Sequence, residues 1–161
     1  MKASKQTAIY AGTFDPITKG HMDLIERASK MFDGLIIAIG VNAKKTPMFT
    51  QLERVDMVAQ STKHLGNVTV ATFDGLLVDY AVKMGVSVIV RGLRTCSDFE
   101  YEFQMVKTNR CLNPKVETVF LTPKAETEFI SSSVVREIWK HRKNVDGFVP
   151  KNVASEMNVL K

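Results

Sequence analysis

Cysteine is scarce: the 161 residues contain two, Cys96 and Cys111, without the neighbouring ligands a metal site needs. With no targeting segment to mark an oxidising compartment, both thiols are expected to be reduced rather than bridged. Long apolar runs are also missing. The longest, Leu35 to Val41 with one glycine, is too short to span a bilayer, so no membrane association is expected. Met1 to Gln6 is basic but is not followed by an apolar stretch of signal-peptide length, and a cytoplasmic location is expected. No tract interleaves aromatic and basic residues, which gives no reason to expect nucleic-acid binding. No repeat, low-complexity segment or linker divides the chain. At this length it is expected to form a single domain over 1–161, with no room for an added substrate domain.

The composition is that of an ordinary globular protein, 45% hydrophobic and 24% charged, with a net charge of 22 − 17 = +5. That surplus suits anionic ligands but does not select among nucleotides, phosphates and nucleic acid. Short β-branched runs alternate with segments of helical period. Strands are predicted at Ala8–Tyr10, Leu35–Val41, Val68–Phe73, Val86–Val90 and Val116–Leu121. A helix is predicted over His21–Phe32, with Leu24, Ile25, Ala28, Met31 and Phe32 on its apolar face. Thr50–Glu53 reads as a capping box opening a helix whose inner face would carry Leu52, Val55, Ala59, Thr62 and Leu65. Leu76–Met84 reads as a helix closed by Gly85. Ser97–Glu100 reads as a second capping box, starting a helix that runs to about Leu112. Ser131–Ser133 supply N-cap hydroxyls to a helix ending near His141, and a last helix spans Asn152–Leu160. Five strands alternating with helices imply right-handed βαβ units in a doubly wound parallel α/β sheet.

In such sheets ligands bind beyond the carboxyl ends of the strands, at a switch point. The first strand end carries Gly12-Thr13-Phe14-Asp15-Pro16-Ile17-Thr18-Lys19-Gly20-His21 and leads into a helix, whose free N–H groups suit an anion. It is neither G-x-G-x-x-G nor a Walker A sequence, which disfavours a dinucleotide dehydrogenase or a P-loop NTPase. Lys44–Lys45 follow the second strand, Arg91-Gly92-Leu93-Arg94 ends the fourth, and Ser131–Ser133 follow the fifth. Cations and N–H groups at neighbouring strand ends make a phosphate site. Each has a plainer reading. His21 could make a structural hydrogen bond at a helix start. Arg91 and Arg94 could pair with Asp98, Glu100 or Glu102. The serines could be caps only, and Asp15 could brace the turn before Pro16. His64 and His141, late in their helices, need no function.

Thr18-Lys19-Gly20-His21 resembles the T/H-x-G-H signature of the nucleotidyltransferase superfamily. With Tyr10 to His21, Lys45 to Thr50, Arg91 to Arg94, Asp98 to Glu102, Asn109-Arg110 and Phe129 to Ser133 in that order, the chain is similar to the bacterial phosphopantetheine adenylyltransferase family. The resemblance implies a Rossmann-like single domain. It implies transfer of AMP from ATP to 4′-phosphopantetheine, giving dephospho-coenzyme A and pyrophosphate. It also implies a homohexamer, Mg2+ brought with ATP rather than held in a protein cage, and coenzyme A as a candidate feedback ligand. Carried over by position, His21, Lys45, Arg94 and Thr13 are the catalytic set. Thr13, Phe14, His21, Gly92, Leu93, Arg94, Glu102 and the run Thr127, Glu128, Phe129, Ile130, Ser131, Ser132, Ser133 surround ATP. Thr13, Lys45, Leu77 and Arg91 bind the acceptor, with Leu77 along the pantetheine arm. Three positions depart from the family pattern: Ala11 replaces a proline, Leu77 a methionine, and Thr127 an aromatic residue near the adenine. Paired carboxylates and a catalytic triad are absent, as this chemistry allows. A phosphate acceptor is already a nucleophile, so the expected devices are positioning and preorganised donors.

Overall fold

A computed structural model describes residues 6–41 and 46–160. The described residues form five strands and six helices, alternating up to the last two helices: β1 (Thr7–Gly12), α1 (Lys19–Met31), β2 (Gly34–Gly40), α2 (Gln51–Thr62), β3 (Val68–Phe73), α3 (Leu77–Lys83), β4 (Val88–Gly92), α4 (Cys96–Leu112), β5 (Glu117–Leu121), α5 (Ser132–Lys140) and α6 (Lys151–Val159). Every strand pair is parallel and the sheet order is β3-β2-β1-β4-β5. The chain winds from β1 outward to β3, then crosses back to place β4 beside β1. The switch point therefore lies between the carboxyl ends of β1 and β4.

Both faces of the central strands are covered, and their alternate residues enter two cores. Ala8, Tyr10, Leu35, Ile37, Ile39, Val88 and Val90 pack with side chains of α1, α2, α5 and α6. Ile9, Ala11, Ile36, Ala38 and Ile89 pack on the other face with Val78 and Ala81 of α3. A strand buried on both faces needs apolar residues at every position, which is why β2 reads as an unbroken apolar run. Gly85 (φ 67) ends α3 as predicted. Its N–H donates to Val82 O and that of Val86 to Ala81 O, a Schellman closure.

Three local expectations need correction. α4 begins at Cys96, not Ser97: Thr95 is the N-cap and accepts from Asp98 N–H. Thr95 can cap because its extended backbone aims the hydroxyl at the exposed N–H groups of the first turn. The inner face of α2 is only partly the one predicted: Thr62 is buried and Val55 and Leu65 pack against the core, but the other two predicted residues do not. Leu52 is 82% exposed and Ala59 is exposed, while Arg54, Met57, Val58, Ser61 and Thr62 are buried. Met31, placed on the apolar face of α1, is exposed at the end of that helix. The Thr50–Glu53 capping box forms as expected. Cys96 and Cys111 are both free. No helix among the described residues is long and apolar enough to cross a membrane.

Candidate active site

The loop from Thr13 to Thr18 connects β1 to α1 and shapes one side of a cavity of about 550 Å³ at the switch point. Phe14 adopts φ 49, a left-handed conformation that bulky side chains rarely take. Its ring is buried and meets Tyr10 and His21 edge-on, at 5.6 and 5.0 Å between centroids. The Asp15 carboxylate accepts from the backbone N–H groups of Met48 and Phe49, both at 2.9 Å. Asp15 therefore does more than brace a local turn. It ties this loop to the segment that leads into α2.

His21 occupies the third position of α1, and its ring completes a capping box that the sequence reading did not anticipate. Thr18 Oγ1 accepts from His21 N–H at 3.3 Å, and Thr18 N–H donates to His21 Nδ1 at 3.1 Å. An Nδ1 that accepts leaves the ring proton on Nε2. Burial, and then the charges of Arg94 and Arg91, push the His21 pKa down to about 4. At neutral pH His21 is thus an uncharged imidazole with its remaining N–H available as a donor. The plain helix-start role and the functional role are both met, because they use different ring nitrogens.

The glycine of the signature has a steric reason. A Cβ on Gly20 would lie 2.9 Å from Ile130 O and 3.1 Å from Thr127 O. The start of α1 and the segment before α5 approach so closely that only glycine fits. That contact brings Thr127, Ile130 and Ser131–Ser133 to the cavity edge.

On the β4 side, Arg91 lies with its Nη1 donating to Ala11 O at 2.7 Å, which locks the ends of β1 and β4 together. Its Nε donates to Glu102 at 2.8 Å, and its Nη2 makes a second short bond to the same carboxylate. Burial opposes the Arg91 charge, but the hydrogen bonds and charge of Glu102 outweigh it and hold the guanidinium firmly ionised. Arg94 pairs with Asp98 at 3.1 Å. The plainer reading of both arginines as ion-pair partners is therefore realised within the cavity wall itself.

The cavity gathers Thr13, Phe14, His21, Arg91, Gly92, Arg94 and Glu102 with Thr127, Ile130 and Ser131–Ser133. Four predicted residues stand apart from it. Leu77 packs at the start of α3 against the opposite core. Leu93 N–H continues the β4–β5 ladder by donating to Leu121 O. Phe129 is 59% exposed and meets Phe148 edge-on. Glu128 points to solvent. Lys45, with Lys44, lies outside the described residues. The serines divide their work: Ser131 is the N-cap of α5, accepting from Val134 N–H, whereas Ser132 donates to Pro16 O at 2.8 Å.

Arg136 also lines the cavity and was not anticipated. It donates to Asp15 O and to Ser133 Oγ, and its Nη1 lies 3.6 Å from the Asp15 carboxylate. The available signal was its spacing: three residues beyond Ser133 on a helix, it must share that serine's face. Asp98, the partner of Arg94, is a second lining residue not placed in the site beforehand.

This geometry has a family counterpart, because residues 9–138 match the model of the cytidylyltransferase-like family. The chain belongs to that family, within the nucleotidyltransferase superfamily. Its fold is also that of two solved structures. One is described as a candidate nicotinate-nucleotide adenylyltransferase from Vibrio parahaemolyticus. It has a TM-score of 0.70 at 19% identity, over 97% of this chain and 93% of that one. The other is a lipopolysaccharide core biosynthesis protein from Thermoplasma volcanium, with a TM-score of 0.58 at 18% identity. That match covers 75% of this chain and 99% of the other. As a cytidylyltransferase-like protein, the chain places the T-x-G-H residues where its β1–β4 crevice opens.

Proposed function

We propose that the chain is an adenylyltransferase that moves AMP from ATP to 4′-phosphopantetheine. One observation carries the nucleotidyl-transfer reading. A neutral His21, with its Nε2–H free to donate, faces a cavity shared with Arg91, Arg94 and Ser132 at the β1–β4 crevice. The acceptor is supported by the Arg91–Arg94 and Asp98–Glu102 segments, both of which contribute to the cavity.

In this mechanism an acceptor phosphate oxygen attacks the α-phosphorus of ATP in line. The new O–P bond forms as the bond to the bridging oxygen breaks, and pyrophosphate leaves with the electron pair. No general base is required, since the nucleophile is already an anion. The barrier lies in bringing two anions together, and fixed donors lower it. His21 and Thr13 donate to oxygens of the reacting phosphates. Lys45 bridges nucleophile and α-phosphate, and Arg94 and Ser132 hold the β/γ end. Arg91 receives the acceptor phosphate, exchanging part of its contact with Glu102.

The cavity carboxylates do not fit a resident magnesium ion. Asp15, Asp98 and Glu102 are each engaged with an arginine. Magnesium is accordingly proposed to enter and leave with the nucleotide phosphates. A cytoplasmic homohexamer completes the reading, with coenzyme A as a feedback ligand. Phe99 and Phe103 on one side of α4, and Tyr101 and Met105 on the other, are exposed apolar positions open to such an assembly.

The test is pyrophosphate release from ATP with 4′-phosphopantetheine, nicotinate mononucleotide or a polyol phosphate as acceptor. Release with 4′-phosphopantetheine alone is expected. Release only with another acceptor would move the chain elsewhere in its superfamily, and nucleotide binding without release in any arm would make it a sensor.

A further inference from the structure

Arg54 is a charged residue on the inner face of α2 and is only 4% exposed. Its Nη1 donates to Thr13 O at 2.6 Å and lies 3.5 Å from Gly40 O at the end of β2. Its Nε–H has no hydrogen-bond partner among the described residues. It forms no ion pair there either, although each arginine that lines the cavity does: Arg91 with Glu102, Arg94 with Asp98, Arg136 with Asp15. Burying a cation without a counter-ion is costly, so this placement calls for a reason.

We propose that Arg54 is a positioning residue for the phosphate loop. It lies behind the loop, outside the cavity lining, and holds the Thr13 carbonyl on its own side. The Thr13–Phe14 peptide is trans, so its N–H points away from the carbonyl that Arg54 holds, and both residues line the cavity while Arg54 does not. No described residue accepts from that N–H. Arg54 thereby presents a backbone donor to an incoming phosphate and helps hold Phe14 in its left-handed conformation. Its charge, the one at this site without a carboxylate partner among the described residues, favours an anion on the far side of the loop. A carbonyl alone does not neutralise a guanidinium, whereas a bound phosphate a few residues away recovers part of the lost solvation.

The inference rests on reading the cavity as a nucleotidyl-transfer site, and the experiment separates the two. Calorimetric binding of inorganic pyrophosphate and of ATP is measured on the full-length wild-type, Arg54→Lys and Arg54→Gln proteins. Turnover is measured at temperatures where urea titration shows each protein folded. Arg54→Gln is expected to weaken pyrophosphate about ten-fold, for the lost charge. It should also lower kcat about 10²-fold, for the misplaced donor. Arg54→Lys keeps the charge but not the fork, so pyrophosphate affinity should stay within about three-fold while kcat falls about ten-fold or more. If Arg54→Gln does not fold, Arg54→Lys decides: an unchanged kcat overturns the proposal and a reduced one supports it. A shift in urea midpoint alone, with wild-type affinity and kcat, would show a merely structural arginine. Wild-type protein that binds neither pyrophosphate nor ATP would overturn the reading of the cavity itself.

Discussion

His21 makes two separable predictions. On the proposed mechanism it is a donor whose contribution grows as charge moves onto the phosphates, so it should matter more for kcat than for ground-state binding. His21→Ala should lower kcat by about 10²–10³-fold, and the KM for ATP should change much less. Steady-state kinetics with varied ATP checks this, and near-normal turnover would remove His21 from the chemistry. The second prediction concerns pH. The unfolded chain takes up a proton at this imidazole below its ordinary pKa of 6.5, while the fold resists until about 4. Stability from His21 is therefore fully present above pH 6.5 and is lost as pH falls from there toward 4. Urea midpoints measured from pH 8 to 4 should fall less steeply over that window in His21→Gln than in the wild type. Polar residues were readable from the sequence where they sat beside a strand end. His21, Arg91 and Arg94 qualified. Arg54 did not, because a charged side chain on a helix is assigned to solvent by default. The true inner face of α2 also carries Arg54 and Ser61, so hydropathy pointed to Leu52 and Ala59 instead.

Within the elements, Ser131 and Ser132 should behave differently despite being neighbours. Ser131→Ala removes the cap of α5 and should cost about 1 kcal/mol of stability. Its kcat should remain close to wild type. Ser132→Ala leaves the cap intact and should instead raise the KM for ATP or lower kcat, with a smaller shift in midpoint. Denaturant titration and kinetics on both variants separate them. Gly20→Ala tests the approach of α1 to the 127–130 segment. The added methyl would press on two backbone carbonyls that cannot swing aside. A loss of about 1–3 kcal/mol is expected, as for other overpacked sites. ATP binding should weaken as well, because the displaced segment lines the cavity. The three-serine cluster announced a helix start, but only backbone geometry shows which hydroxyl caps. The same limit moved the N-cap of α4 from Ser97 to Thr95: a run of several capping residues leaves the boundary open to within a turn.

Across the whole molecule, the parallel doubly wound sheet followed from alternation and handedness, and the site from the strands' carboxyl ends; the order β3-β2-β1-β4-β5 came from the structure. The parallel arrangement needs five strands separated by helices, and the apolar run of β2 marked a strand buried on both faces. The pattern did not reveal which predicted residues miss the cavity. Leu93 lies between two cavity residues, yet its backbone continues the sheet, and Leu77, at the start of α3, serves the second core. Assembly is the prediction that belongs to this scale. Light scattering after gel filtration should give a mass several times 18.0 kDa. Tyr101→Glu with Phe103→Glu, which charges exposed positions on two sides of α4, should shift it toward that of one chain.

The carboxylates that hold Arg91 and Arg94, Glu102 and Asp98, stand one turn apart on a single helix. A substrate anion that draws either arginine toward itself must loosen that arginine's grip on α4. Filling the pocket and unloading this helix are two faces of one exchange. On the proposed mechanism, occupancy of the pocket would reach α4 through the two ion pairs in its first two turns.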